Sequence, residues 1–221
     1  MTLKSRLQAH ELLAGTWVKT PHPHIVEVLS LSPLDLIVLD AEHAPFGRES
    51  IDACILAGRV SGKPLLVRPA SAAHEAILQA LDSGADGVIV PHIRSADEAR
   101  ALVRACHYGA TGADQARGFA GSTRAAGYTT LGMARHREAA KGVIVIAQIE
   151  DAEALEEIDA IAAVDGIEAL FIGRIDLTIS LGADSPDDAI VVAAVDRICA
   201  DRKSTRLNSS HVLRSRMPSS A

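Results

Sequence analysis

Leu36-Ile37-Val38-Leu39-Asp40-Ala41-Glu42-His43-Ala44-Pro45 decides how this chain of 221 residues is read. A run of large aliphatics too short for a helix ends abruptly in two carboxylates and an imidazole. A strand buried on both faces of a parallel sheet has this look when it delivers polar groups at its C-terminal end.

Working outward, further strands of the same kind are expected over 15–20, 64–69, 87–91, 143–150 and 169–177, the last including the exit from its strand. Between them, helical spacing predicts helices over 5–14, 25–29, 48–60, 72–82, 97–106, 152–163 and 186–200. Ser95-Ala96-Asp97-Glu98 fits a capping box that starts one of these. Six strand-helix units with short turns indicate a parallel sheet covered by helices. No Gly-x-Gly-x-x-Gly follows the first strand, so an open nucleotide-binding sheet loses its main support. Charged residues end the second, third, fifth and sixth strands, and a barrel gathers all such ends at one mouth. The expected fold is therefore an α/β (β/α)8 TIM barrel, incomplete here at about six units.

Composition agrees with this palette: 48% hydrophobic and only 3% aromatic residues leave Ala, Val, Ile and Leu to build the core. The three cysteines (Cys54, Cys106, Cys199) are odd in number and form no Cys-x-x-Cys, which excludes a disulfide framework or zinc knuckle and suggests a reducing compartment. The first residues have helical spacing rather than the apolar run of a signal peptide, and no segment has the length to cross a bilayer. A cytoplasmic protein is expected, with neither a membrane nor a nucleic acid as partner. The Pro21-His22-Pro23-His24 stretch reads as a solvated loop, and the Gly- and Arg-rich stretch 109–132 as a long irregular segment of the kind that is often functional.

From Asp201 onward the period disappears, and five basic residues face one acid in a chain of net charge −6. A basic tail suggests an anion-binding arm. Its two peptides, 201–211 and 216–221, instead resemble the in-frame translation of a short-read sequencing adapter. The expectation is a truncated barrel domain over 1–200, followed over 201–221 by a non-native, disordered tail.

The residues to combine are Asp40, Glu42 and His43, then Arg68, then Gln148 and Glu150, then Asp176. Carboxylates from successive strand ends, without clustered cysteine, make an oxygen-rich site suited to a hard divalent ion. Four motifs then carry a specific likeness: 39–45, Val67-Arg68-Pro69, Gln148-Ile149-Glu150 and Phe171-Ile172-Gly173-Arg174-Ile175-Asp176-Leu177. In this order they resemble the HpcH/HpaI family of metal-dependent class II pyruvate aldolases, relatives of citrate lyase β subunits, over about 15–182.

The resemblance implies a barrel of the phosphoenolpyruvate/pyruvate-binding type and a divalent metal (Mg²⁺, Mn²⁺ or Co²⁺) held by Glu150 and Asp176. It implies pyruvate and an aldehyde as the small-molecule partners, with Gln148 and the backbone around Gly173 and Ile175 holding pyruvate and Trp17 lining the pocket. It also implies a homo-oligomer, a hexamer in the family, and two further strand-helix units. Making or breaking a carbon-carbon bond beside a ketone passes through an enolate. Arg68 is expected to stabilise its oxyanion, His43 to move a proton, and Asp40 to orient the His43 ring. Arg174 stands where the family often has proline and is expected to alter the pocket entrance or a subunit contact. The alternatives on the same fold are an acyl-CoA lyase of the citrate lyase or malyl-CoA type and an inactive oxoacid-binding fragment.

Overall fold

A computed structural model describes residues 1–109, 117–200 and 211–213. In chain order it runs α1 (Leu3–Gln8), β1 (Gly15–Val18), α2 (Pro23–Ser30), β2 (Leu36–Asp40), α3 (Arg48–Ser61), β3 (Leu65–Arg68), α4 (His74–Asp82) and β4 (Gly87–Val90). It continues with α5 (Ala96–Cys106), α6 (Gly132–Ala140), β5 (Ile144–Ile149), a 3₁₀ turn (Ala152–Leu155), α7 (Ile158–Ala162), β6 (Ala169–Ile172), α8 (Arg174–Ser180), α9 (Ala189–Ala200) and β7 (His211–Leu213). All strands are parallel and lie side by side in chain order from β1 to β7.

Strand alternation divides the apolar residues into two cores. Ile37, Leu39, Val67, Val88, Val90, Val145, Ala147, Leu170 and Ile172 face the helices and pack with Ile51, Ile55, Ile77, Leu81 and Leu102. Leu36, Val38, Leu66, Ile89, Ile144, Ile146, Ala169 and Phe171 face the other way and form a second cluster, joined by Trp17. Leu3, Leu7 and Leu13 belong to that inner cluster, so the N-terminal segment plugs it. The sheet is strongly curled. Trp17 of β1 and Phe171 of β6 meet edge to face with ring centroids 5.3 Å apart, whereas a flat sheet would hold these strands roughly 24 Å apart at its usual spacing. This is the wall of a (β/α)8 barrel; among the described residues β1 and β7 are not paired with each other.

The second, third and fourth strands agree with the sequence reading to within a residue or two at each end. Ser95 caps α5 through the Glu98 amide as its motif predicts. Four features differ. The exit from β6 is the separate helix α8, because Gly173 interrupts the extended run. The helix expected over 152–163 is a 3₁₀ turn and a short helix. A further helix, α6, precedes β5. β6 is flanked by β7, whose three residues pair with Ala169–Phe171; Val212 and Leu213 are among the few apolar residues of a polar tail and suit an otherwise unpaired edge. The rest of the expected tail, 201–210 and 214–221, lies outside the described residues.

Residues 110–116 of the long irregular stretch also lie outside the described residues. Its continuation packs structurally. Arg117 is buried, stacks 4.7 Å from the Tyr108 ring and donates to the Cys106 carbonyl at 3.2 Å. Arg117 and His136 line a cavity of about 420 Å³ together with Gly84, Asp86 and Ile144, which puts it at the N-terminal ends of β4 and β5. Cys54 and Cys106 are buried free thiols, pushed by burial to about 11 and about 12, and behave as core residues.

Gly87 is where β4 comes closest to its neighbour: a Cβ there would strike the Ile144 backbone carbonyl of β5. Gly87→Ala is expected to destabilise the fold by about 1–3 kcal/mol, read as a lower urea midpoint at unchanged slope. An unchanged midpoint would mean that the two strands are not in this register.

Candidate active site

The inward positions that are apolar in mid-strand turn polar at the C-terminal ends. Trp17 on β1, Asp40 on β2, Arg68 on β3 and Gln148 on β5 all share the parity of the inner core. The register sets Asp40 directly beside Arg68. Arg68 donates through Nε to Asp40 Oδ1 at 3.0 Å, and its Nη2 lies 2.9 Å from Oδ2. Its Nε is also 3.1 Å from Glu42 Oε2, Nη1 donates to Gln148 Oε1 at 3.4 Å, and the guanidinium sits 4.5 Å from the Trp17 ring centre. Asp40 Oδ2 and Glu42 Oε2 are buried without hydrogen bonds of good geometry, so these contacts act by charge. Arg68 is thereby held from four sides with 7% of its surface exposed.

Asp40 is fully buried, and burial by itself would push its carboxyl up. The His43 amide, the charge and hydrogen bond of Arg68 and the charge of Lys19 together outweigh burial and hold it below its ordinary value. Its Oδ1 also accepts from the amides of Glu42 and His43 at 3.2 and 3.1 Å, which folds the 41–44 turn back over the strand end. Asp40 therefore orients the His43 backbone rather than its ring. The ring is half exposed, and its near carboxylate is Glu42, with Nε2 3.7 Å from Oε2.

Glu150, just beyond β5, is buried. Gln148 Nε2 donates to its Oε2, and the His92 amide donates to Oε1 at 2.9 Å. Burial, with help from the negative charge of Glu42, pushes the Glu150 carboxyl up despite these bonds. Gly173 packs against it so closely that an added Cβ would collide with the carboxylate. The Gly173 amide is already bonded to the Ile149 carbonyl at 3.0 Å, so it is not available to a ligand. Ile175 and Asp176 lie exposed in the first turn of α8, whose N-terminus has no side-chain cap. Arg174 points away, donating to the Pro186 carbonyl at 2.9 Å and pairing with Asp187 at 3.0 Å; it ties α8 to the following loop instead of crowding the entrance.

Three participants were not read from the sequence. His92, two residues past β4, lies with Nε2 3.7 Å from Glu42 Oε1 and Nδ1 3.5 Å from Glu150 Oε1. Asp151 pairs with His92 Nδ1 at 3.0 Å. Lys19, just past β1, has its ammonium 3.4 Å from Asp40 Oδ2. The signal for His92 was present, a polar residue at a strand end after Pro91, but strand parity assigns it to the wrong face. Ligand atoms of Glu42, His92 and Glu150 lie within 4.8 Å of one another, a spacing that one cation can bridge. The cavities of about 670 and 420 Å³ are lined by none of these residues; the site is an open mouth.

With the site in view, the comparisons with known proteins are specific. The sequence profile described as HpcH/HpaI aldolase/citrate lyase matches residues 13–216. A hydroxypyruvate/pyruvate aldolase from Paraburkholderia phytofirmans is 38% identical over 204 residues, covering 89% of this chain and 76% of that protein. A 4-hydroxy-2-oxovalerate aldolase from Novosphingobium aromaticivorans is 37% identical over 192 residues, covering 84% and 71%. Among solved structures, a HpcH/HpaI aldolase/citrate lyase family protein from Burkholderia cenocepacia superposes with a TM-score of 0.88 at 30% identity, covering 95% of this chain and 82% of that one.

Removing one partner of the buried Asp40 and Arg68 pair leaves the other charge uncompensated, and Asp40→Asn is expected to cost about 3–5 kcal/mol at neutral pH. The folded Asp40 carboxyl titrates below its ordinary value of 3.8. Its contribution is therefore complete above about pH 5 and is lost as pH falls through the folded value. Denaturant melts of both proteins from pH 7 to pH 3 check this: the gap between them should shrink toward acid. A gap that is constant or widens would remove the charge of Asp40 from the stability of the site.

Proposed function

The chain belongs to the HpcH/HpaI aldolase/citrate lyase family, and from that premise we propose a carbon-carbon lyase of the class II aldolase type. It cleaves and forms 2-oxo-4-hydroxy acids, with pyruvate and an aldehyde as the two halves. The relatives at 37–38% identity are aldolases for hydroxypyruvate, pyruvate and 4-hydroxy-2-oxovalerate, which favours this reading over an acyl-CoA lyase. The observation that carries it is Arg68: a permanent cation fixed at the floor of the mouth, bonded to the same Gln148 that holds Glu150.

The donor set fits a hard divalent ion. Glu150 is a buried carboxylate beside the like charge of Glu42, an arrangement that a cation relieves, and a cluster of suitable spacing is present. Glu150 and Asp176 are its proposed ligands, and Mg²⁺, Mn²⁺ or Co²⁺ the candidate ions. Gly173 packs against the Glu150 carboxylate and opens the turn that carries Asp176. When bound, the ion supplies Lewis-acid stabilisation of negative charge on the oxygens of an oxoacid.

The remaining work falls to the chain. Gln148 and the first-turn amides of α8 near Ile175 bind the carboxylate and ketone of pyruvate, and the Trp17 ring forms an apolar wall. In cleavage a base removes the proton of the 4-hydroxyl, the bond between C3 and C4 breaks, the aldehyde leaves, and the electron pair becomes the enolate of pyruvate. His43, half exposed on the turn above Asp40, takes that proton directly or through water and returns it to C3. Arg68 donates hydrogen bonds to the enolate oxygen, in an orientation set in advance by Asp40, Glu42 and Gln148. Among the described residues no helix is long and apolar enough to cross a membrane. A cytoplasmic homo-oligomer is the proposed setting, supported by the free cysteines and by exposed Ile175, Ile179 and Ile190 on α8 and α9.

Exchange of the pyruvate methyl protons in D₂O, followed by NMR, reports enolate formation without an aldehyde. EDTA should abolish it and Mn²⁺, Mg²⁺ or Co²⁺ restore it; undiminished exchange in excess EDTA would reject a metal-dependent aldolase. Arg68→Ala, with its fold verified by circular dichroism, should lose roughly 10²–10³-fold in rate, on the scale of removing an oxyanion donor. Wild-type turnover would take Arg68 out of the reaction.

A further inference from the structure

We propose that His92 is a third, nitrogen ligand to the divalent ion, and that it shifts the preference of the site from Mg²⁺ toward ions that bind imidazole well, such as Co²⁺. The inference rests on the reading that Glu150 holds the ion, and it concerns a residue outside the Glu150 and Asp176 pair.

Three observations carry it. Ligand atoms of Glu42, His92 and Glu150 lie within 4.8 Å of one another. The His92 ring is held as a ligating imidazole usually is: Asp151 Oδ2 lies 3.0 Å from Nδ1, where a carboxylate fixes the proton on Nδ1 and leaves the Nε2 lone pair free for a cation. Nε2 is the nitrogen that faces Glu42 Oε1, at 3.7 Å. The backbone gives the third. His92 has φ of +59°, which L residues rarely adopt, and in that conformation its amide donates to Glu150 Oε1 at 2.9 Å. Ring and amide of one residue thus converge on the carboxylate assigned to the ion. A nitrogen ligand among oxygens adds affinity along the series from Mn²⁺ to Co²⁺ and Ni²⁺ while doing little for Mg²⁺, whose preferred donors are oxygens.

The test uses the full chain loaded with metal in the absence of any oxoacid. Mn²⁺-loaded wild-type protein should show the electron spin-echo modulation of a coordinated imidazole nitrogen. Labelling histidine with ¹⁵N should change that modulation, and His92→Asn should abolish it; Asn tolerates the left-handed backbone and so preserves the turn. By titration calorimetry, His92→Asn and Asp151→Asn should each weaken Co²⁺ binding by about tenfold or more, the scale of losing a ligand or its orienting carboxylate, and weaken Mg²⁺ binding much less. Mn²⁺ binding without imidazole modulation, or with modulation that survives in His92→Asn, would overturn the His92 assignment and leave Glu150 and Asp176 standing. Failure of every ion to bind would overturn both, and an equal loss of Co²⁺ and Mg²⁺ affinity would overturn the selectivity.

Discussion

The mouth of this barrel depends on the buried pair of Asp40 and Arg68. The two residues are register partners on adjacent strands, so every hydrogen bond between β2 and β3 helps to place them. Desolvating two ions costs several kcal/mol each, and their attraction offsets this only with good geometry and further hydrogen bonds. Here the offset comes from the turn amides of Glu42 and His43 on one side and from Gln148 on the other. An apolar pair would cost less to bury. What the ion pair provides is a guanidinium that cannot rotate, facing a site where negative charge develops.

The same inward parity that builds the inner core builds the site. On β2 the sequence Leu36, Val38, Asp40 passes from core to chemistry in steps of two, and on β5 Ile144, Ile146, Gln148 does the same. The N-terminal ends are sealed by Leu3, Leu7 and Leu13, and the polar ends are left open. Scaffold and site are two ends of one side-chain layer, which is why rigid strands rather than loops carry Asp40, Arg68 and Gln148. Glu42, His43, His92, Glu150 and Asp151 occupy the first residues beyond the strands, where the backbone is free to leave the alternation.

Opposing charges also balance across the mouth. Glu42, Glu150 and Asp151 surround His92, and although burial by itself would lower the His92 pKa, hydrogen bonding to Asp151 and the charges of Glu150, Asp151 and Glu42 raise it. Arg68 and Lys19 neutralise Asp40. The negative side is the side proposed for the ion, and the positive side is the side proposed for the enolate oxygen. The site thus holds two regions of opposite sign, matched to a cation and to an anion.

Short aliphatic runs ending in charge told of buried parallel strands, and their alternation with helical periods told of a barrel wall, because burial on both faces leaves no other pattern. Four motifs at strand ends named Asp40, Arg68, Gln148 and Glu150, and these do converge. Helix α8 was hidden because Gly173 breaks a run that otherwise reads as extended, and α6 because its polar sequence has little apolar period. His92 escaped because its parity along β4 matches Val88 and Val90, which face the helices; a single left-handed residue reverses that direction. The role of Asp40 was misjudged because a sequence shows which groups are near in the chain, while the curl of the sheet and the register between strands decide which charge lies across from which. Local periodicity therefore determined the strands and the kind of chemistry at their ends. The pairing of carboxylate with guanidinium, imidazole and amide was decided only in three dimensions, by contacts between residues 28 to 80 positions apart.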